Sequence, residues 1–170
     1  MTEPLDLAAV YDEHAAALFG FVLNVTRSEA DTHDVLQSLF VKLATRPALL
    51  AGASNPRAYL LRLAHNLAVD VVRRREARER AHQRAGSGQV DLFEPTNDAD
   101  EATCRRELTD ALAELPPDQR AVVHLRLWEG LTFETIADTL QIPLNTAASS
   151  YRYGIDKLRA RLRPIYEEIK

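Results

Sequence analysis

The side chains in this 170-residue chain that could do chemistry are basic and polar, and the chemistry open to them is non-covalent binding. Arg73, Arg74, Arg75, Arg78, Arg80 and Arg84 crowd one short stretch. Guanidinium groups at that density suit phosphate oxygens, which they grip as planar forks. A second polar group lies after the turn Gln141-Ile142-Pro143-Leu144. There Thr146, Ser149 and Tyr153 share one side of a helical projection, flanked by Asn145, Ser150 and Arg152. Amides and hydroxyls at the start of a helix suit hydrogen bonds to base edges in a groove.

Other chemistries lack their residues. The histidines at 14, 33, 65, 82 and 124 form no HxxxH pair and no CxxC accompanies them, so no zinc site is expected. Cys104 is alone, which excludes an intramolecular disulfide. There is no HExxH, nucleophile elbow, P-loop or paired-carboxylate motif, so we expect no catalytic residue and no cofactor. No stretch approaches the ~18 apolar residues of a membrane span. The N-terminus carries Glu3 and Asp6 and is unlike a signal peptide, so the expected location is the cytoplasm.

Helices must position the polar groups. Leu7, Val10, Tyr11, His14, Leu18, Phe21, Val22 and Val25 keep a helical period. Ser28 can cap a second helix that opens with Glu29 and Asp31 and stops before Pro47. Asn55-Pro56 supplies a cap and an N1 proline for a long helix. That helix should bury Leu60, Leu63, Ala64, Leu67 and Val71, leaving Arg62, Asn66, Val69 and Arg73 opposite. Further on, Leu108, Ala111, Leu112 and Leu115 form one apolar stripe, which Pro116-Pro117 ends. Ala121, Val122, Leu125 and Trp128 line the next helix inwardly, up to Gly130 as its C′ residue. Thr132 caps a short helix with Phe133, Ile136, Ala137 and Leu140 inward, and a last helix from about Asn145 faces inward with Tyr151, Ile155, Leu158 and Leu162. A short helix, a tight turn and a polar-faced second helix is the helix-turn-helix arrangement.

Composition agrees with an all-α fold of two small helical domains. Ala and Leu number 49 together against 16 for Val and Ile, and glycines are only 6. That balance disfavours sandwiches, barrels and large parallel sheets. Residues 85–100 separate the halves. Ala85-Gly86-Ser87-Gly88 and an acidic run containing Pro95 read as a flexible linker, with domains at 1–84 and 101–170. The net charge of −4 hides strong alternation. Residues 1–40 carry −6, 57–84 carry +5, 91–118 carry −7 and 119–170 carry +2. Phosphate binding follows local charge, so an acidic total does not exclude DNA.

The residues also carry a family resemblance. The segment from Leu112 to Leu162, including LTFETIADTLQIPLNTAASSYR, resembles region 4 of extracytoplasmic-function sigma factors. DTHDVLQSLF from Asp31 to Phe40 and PRAYLLRLAHNLAVDVVRRR from Pro56 to Arg75 resemble region 2. The resemblance implies two helical domains that bind core RNA polymerase, through its β′ clamp helices and β flap, and promoter DNA. It assigns Asp34, Gln37 and Phe40 to polymerase. It assigns Tyr59, Arg62, Asn66, Asp70, Arg73 and Arg74 to the −10 element. Thr132, Asn145, Thr146, Ser149, Ser150, Arg152, Tyr153 and Lys157 fall to the −35 element. An anti-sigma factor is a further partner often found in this family. Phe40 and Tyr59 are equally readable as core residues.

The chain departs from the family pattern at several positions. Tyr59 stands where tryptophan is usual, and Ala148, Ser150 and Tyr153 stand where the recognition helix is usually basic. Gln141 occupies a turn position where glycine is usual, and a left-handed glutamine costs roughly 1 kcal/mol. Thr135 replaces the glutamate that would complete a capping box with Thr132. Two other functions compete with a sigma factor. A stand-alone helix-turn-helix regulator would need a ligand pocket or dimer interface in its N-terminal half. A small helical enzyme would need one of the missing catalytic motifs.

Overall fold

The computed structural model describes residues 4–82 and 90–169, and among these it contains eight helices and no strand. The chain divides into two compact units, 1–88 and 89–170.

The first unit holds α1 (Leu7–Thr26), α2 (Glu29–Thr45), the single turn α3 (Ala48–Ala51) and α4 (Pro56–His82). A side-chain cap sets the start of α1, α2 and α4, while α3 follows Pro47 without one. The Asp6 carboxylate accepts from the Ala8 and Ala9 N–H groups at 3.0 and 3.1 Å. The Ser28 hydroxyl accepts from Asp31 N–H at 3.2 Å, and the Asn55 side-chain oxygen accepts from Ala58 N–H at 3.1 Å. Such caps satisfy N–H groups that a first turn otherwise leaves unpaired. α1 ends on Arg27, whose φ of 55° lets its N–H close on the Leu23 carbonyl at 2.8 Å. The core gathers Phe21, Val22 and Val25 of α1, Val35, Leu39 and Leu43 of α2, and Leu60, Leu61, Ala64 and Ala68 of α4.

Three expectations about faces change here. Tyr11 is exposed, because α1 buries its C-terminal half nearly all round, from Phe21 to Thr26, and little of its N-terminal half. In α4, Leu61 and Ala68 are fully buried while Leu67 and Val71 are only half-buried. The helix packs against both α1 and α2, so its buried face is wider than one stripe.

The second unit holds α5 (Ala99–Glu114), α6 (Pro117–Leu127), α7 (Phe133–Leu140) and α8 (Leu144–Ile169). Its core cluster joins Ala111, Leu112, Leu115, Val123 and Leu158. α8 packs against α5, α6 and α7, so it is the spine of the unit. At Gly154 an added Cβ would lie 2.6 Å from Val123 Cγ2, so only glycine permits this approach of α8 to α6. α6 ends at Leu127, before Gly130, which takes φ 64°. Trp128 caps α6 and is 40% exposed, not inward. Its ring instead lies 5.2 Å from His124 and 6.3 Å from Phe93.

Of the segment 85–100 expected as a linker, the part from Val90 onward is described. Residues 83–89, including Ala85-Gly86-Ser87-Gly88 and Arg84, lie outside the described residues. From Val90 onward the chain is built onto the second unit, and α5 already begins at Ala99. Leu92 packs on the core cluster and Phe93 meets Trp128. Arg105 donates to the Glu94 carbonyl and to Glu101, and the Thr96 hydroxyl donates to Glu101 at 2.7 Å. Two apolar side chains and one well-partnered arginine thus order a segment whose composition reads as linker.

Candidate nucleic-acid interface

α4 carries the first candidate surface. Arg62, Asn66, Asp70, Arg73 and Arg74 are exposed and Tyr59 is half-buried. At 100° per residue, Tyr59, Arg62, Asn66, Asp70 and Arg73 share one stripe, with Arg74 at its edge. The stripe runs about 22 Å at the ordinary helical rise. The Arg74 Nε donates back to the Asp70 carbonyl at 3.3 Å, which lays that guanidinium along the helix. Tyr59 is half-buried at the N-terminal end of the stripe.

The arginine run does not act as one block. Arg75 points to the opposite side of α4, where its Nη1 lies 2.6 Å from Asp31 Oδ2 and its Nη2 donates to the Thr26 carbonyl at 2.8 Å. It ties α4 to the turn between α1 and α2. Helical phase, not local density, therefore decides which arginines face outward.

α7 and α8 carry the second surface. Thr132 caps α7: its hydroxyl accepts from Thr135 N–H at 3.2 Å and meets the Thr135 hydroxyl at 2.9 Å. Thr135 thus replaces the missing capping-box glutamate with a shorter hydroxyl pair. Gln141 is left-handed, with φ 56° and ψ 46°, and its N–H closes on the Ala137 carbonyl. Ala137 and Ala147 are buried where the two helices meet. Arg126, from α6, sits 4.8 Å over the Phe133 ring and donates to the Leu131 carbonyl at 2.9 Å, bracing the entry to α7. Sequence reading missed that brace and Gly154, because both depend on contacts between helices.

On α8, Asn145, Thr146, Arg152, Tyr153 and Lys157 are exposed, while Ser149 and Ser150 are half-buried. Asn145, Ser149 and Arg152 fall on one line at i, i+4 and i+7, which Asp156 continues. The Arg152 guanidinium lies 5.1 Å over the Tyr153 ring. Lys157 leaves this line and reaches Gln119 of α6 at 3.5 Å.

A third surface lies between α1 and α2. Asp34 and Gln37 are exposed on α2, and the half-buried Phe40 ring lies 5.2 Å from Tyr11. Tyr11, Gln37 and Phe40, with Phe19, Leu36 and Val41, line an open, mostly apolar groove, and Asp34 lies outside it. Phe40 is thus a wall of that groove. Among the described residues no group of His, Cys, Asp or Glu could hold a metal ion, and no helix is long and apolar enough to cross a membrane.

Comparison with known proteins follows these units. The family model for sigma-70 region 2 matches residues 10–78, and that for sigma-70 region 4 matches residues 111–160. The extracytoplasmic-function RNA polymerase sigma factor SigL of Mycobacterium tuberculosis is 30% identical over 160 residues, covering 94% of this chain and 90% of the relative. SigK of Mycolicibacterium vanbaalenii is 32% identical over 158 residues, covering 89% and 79%. Among solved structures, the sigma factor RpoE from Bartonella quintana, in complex with the anti-sigma factor NepR, superposes with a TM-score of 0.79 at 18% identity. That match covers 93% of this chain and 97% of the other and shows a shared fold.

Proposed function

The chain belongs to the extracytoplasmic-function RNA polymerase sigma factors, and from this premise we propose how its surfaces divide the work of initiation. It binds core RNA polymerase and directs it to promoters. The protein makes no bond itself; it supplies binding energy and position, and polymerase does the chemistry. Its place of work is the cytoplasm, with polymerase and chromosome.

In our reading Asp34 and Gln37, with the groove wall at Phe40, dock on the β′ clamp helices. The α4 stripe engages the −10 element. Asn66 and Tyr59 receive unpaired bases, while Arg62, Arg73 and Arg74 hold the strand by its phosphates. The exposed start of α8 reads the −35 element in the major groove, with Thr132 at the entry of α7 beside the backbone. The second unit also meets the β flap. An anti-sigma factor that covers these faces would keep the protein from polymerase.

The observation that carries this division is the sorting of the α4 arginines. Arg62, Arg73 and Arg74 face outward beside Asn66, while Arg75 is spent on Asp31 and Thr26. Transcription in vitro with core polymerase and genomic promoter fragments tests it. Asn66→Ala or Arg73→Ala should leave closed complexes intact and reduce permanganate reactivity of −10 thymines. Specific nanomolar binding of duplex by the free protein in physiological salt would instead favour the stand-alone regulator.

A further inference from the structure

The exposed start of α8 holds no cation. Leu144, Asn145, Thr146 and Ala148 are exposed, while Ala147 is fully buried and seats the helix. The first guanidinium is Arg152, about 10 Å along the axis from Asn145 at the ordinary rise. It lies against Tyr153, with Nη2 3.5 Å from the phenol oxygen. Asp156 closes the same line with a negative charge.

This set of groups discriminates between bases. The major-groove edge of guanine offers two acceptors, N7 and O6, and is best met by two donors from one Arg or Lys. Adenine offers an acceptor and a donor, N7 and N6, which the amide of asparagine matches with its own donor and acceptor. Thymine presents a methyl group, which apolar side chains contact. Residues at the start of a recognition helix are those that reach base edges. Here they are one amide and three groups with exposed methyls.

We propose that α8 reads its promoter element chiefly at A·T pairs, with Asn145 on an adenine and the methyl groups of Thr146 and Ala148 against thymine. Arg152, two turns on, holds a phosphate. The proposal rests on the assignment of α8 to the −35 element made above.

The test is selection from a fully randomised duplex pool by holoenzyme assembled from the full-length protein and purified bacterial core RNA polymerase. The expected result is an upstream element dominated by A·T pairs. Asn145→Ala should lower the preference for adenine at one position by about tenfold. Asn145→Arg should move that position to guanine, a gain that a merely structural residue would not produce. Circular dichroism and melting of both variants should match the parent. An upstream element rich in G·C, or one unchanged by both substitutions, overturns the base assignment and leaves the −35 role standing. Enrichment of the downstream element alone overturns both, because α8 is then absent from the DNA.

Discussion

Arg75 and Asp31 join helices 44 residues apart in sequence through a 2.6 Å contact between Nη1 and Oδ2. The second fork of the guanidinium takes the Thr26 carbonyl, so one side chain joins the end of α1, the start of α2 and the C-terminal third of α4. Both partners are more than two-thirds buried, so water screens the pair less than a surface bridge. Removing the arginine leaves a half-buried carboxylate and a carbonyl without it. Arg75→Ala should destabilise the first unit by about 1–3 kcal/mol, the range for hydrogen bonds to charged groups. Arg74→Ala, one residue earlier, should leave the melting temperature unchanged. It should instead lower the salt slope of promoter binding by about 0.7–0.9, one phosphate contact. Thermal melting and salt titration of both variants check the contrast. Equal behaviour of the two would show that the face does not sort the arginines.

The same helix shows what could be read in the chain and what could not. Caps are local chemistry, and Ser28, Asn55 and Thr132 all sit where their side chains accept the expected N–H. The outward stripe of α4 is also local, since helical phase alone places Arg62, Asn66 and Arg73 together. In the sequence Arg75 is indistinguishable from the rest of the basic run, because its partner Asp31 lies on another helix. The apolar period carries Trp128 inward, but α6 ends at Leu127 and Trp128 sits at its cap, beside His124 and Phe93. Leu92 and Phe93 were lost in an acidic context, although two apolar residues suffice to anchor a short segment. Gly154 carried no signal at all until Val123 was placed beside it.

Polymerase docking is testable on α2. Gln37 is exposed and borders the apolar groove, whereas Phe40 also supports Tyr11. Gln37→Glu is therefore the cleaner variant, and Phe40→Asp the stronger one. Both should weaken association with core polymerase, and Gln37→Glu should do so with unchanged helix content. Titration against labelled core enzyme reads the affinity. If neither variant moved it, this face would be removed from the interface.

At Gly154 two effects oppose each other. Alanine gains helix propensity of up to about 1 kcal/mol over glycine. Its Cβ, however, would lie 2.6 Å from Val123 Cγ2, inside any tolerable contact. Overpacking of that kind costs typically 1–3 kcal/mol. The clash should win, so Gly154→Ala lowers the stability of the second unit and Gly154→Ala with Val123→Ala recovers part of the loss. Gln141→Gly works the other way: relief of the left-handed strain should add up to about 1 kcal/mol. Denaturant titrations of the three variants rank them, and a stabilised Gly154→Ala would contradict the packing.

The segment before α5 supplies its own reporter, because Trp128 is the only tryptophan in the chain. Phe93 lies 6.3 Å from its indole, and Leu92 beside it enters the core cluster. The polar half of the attachment runs through Glu101. The Thr96 hydroxyl foremost, and then Arg105, hold its carboxyl below the usual carboxylate range. A carboxyl lowered on folding contributes stability that is present above its unfolded value of 4.5 and is lost as pH falls through the lower folded value. Protonation of Glu101 in acid should therefore weaken the polar half of the attachment, with Trp128 emission shifting to the red as Phe93 loosens. Phe93→Ala should show the red-shifted emission already at neutral pH, while Thr96→Val should move the acid transition upward, toward the unfolded value. Emission that is identical in Phe93→Ala and the parent at pH 7 would separate Phe93 from Trp128, and an acid transition unmoved by Thr96→Val would remove the Thr96–Glu101 hydrogen bond from the attachment.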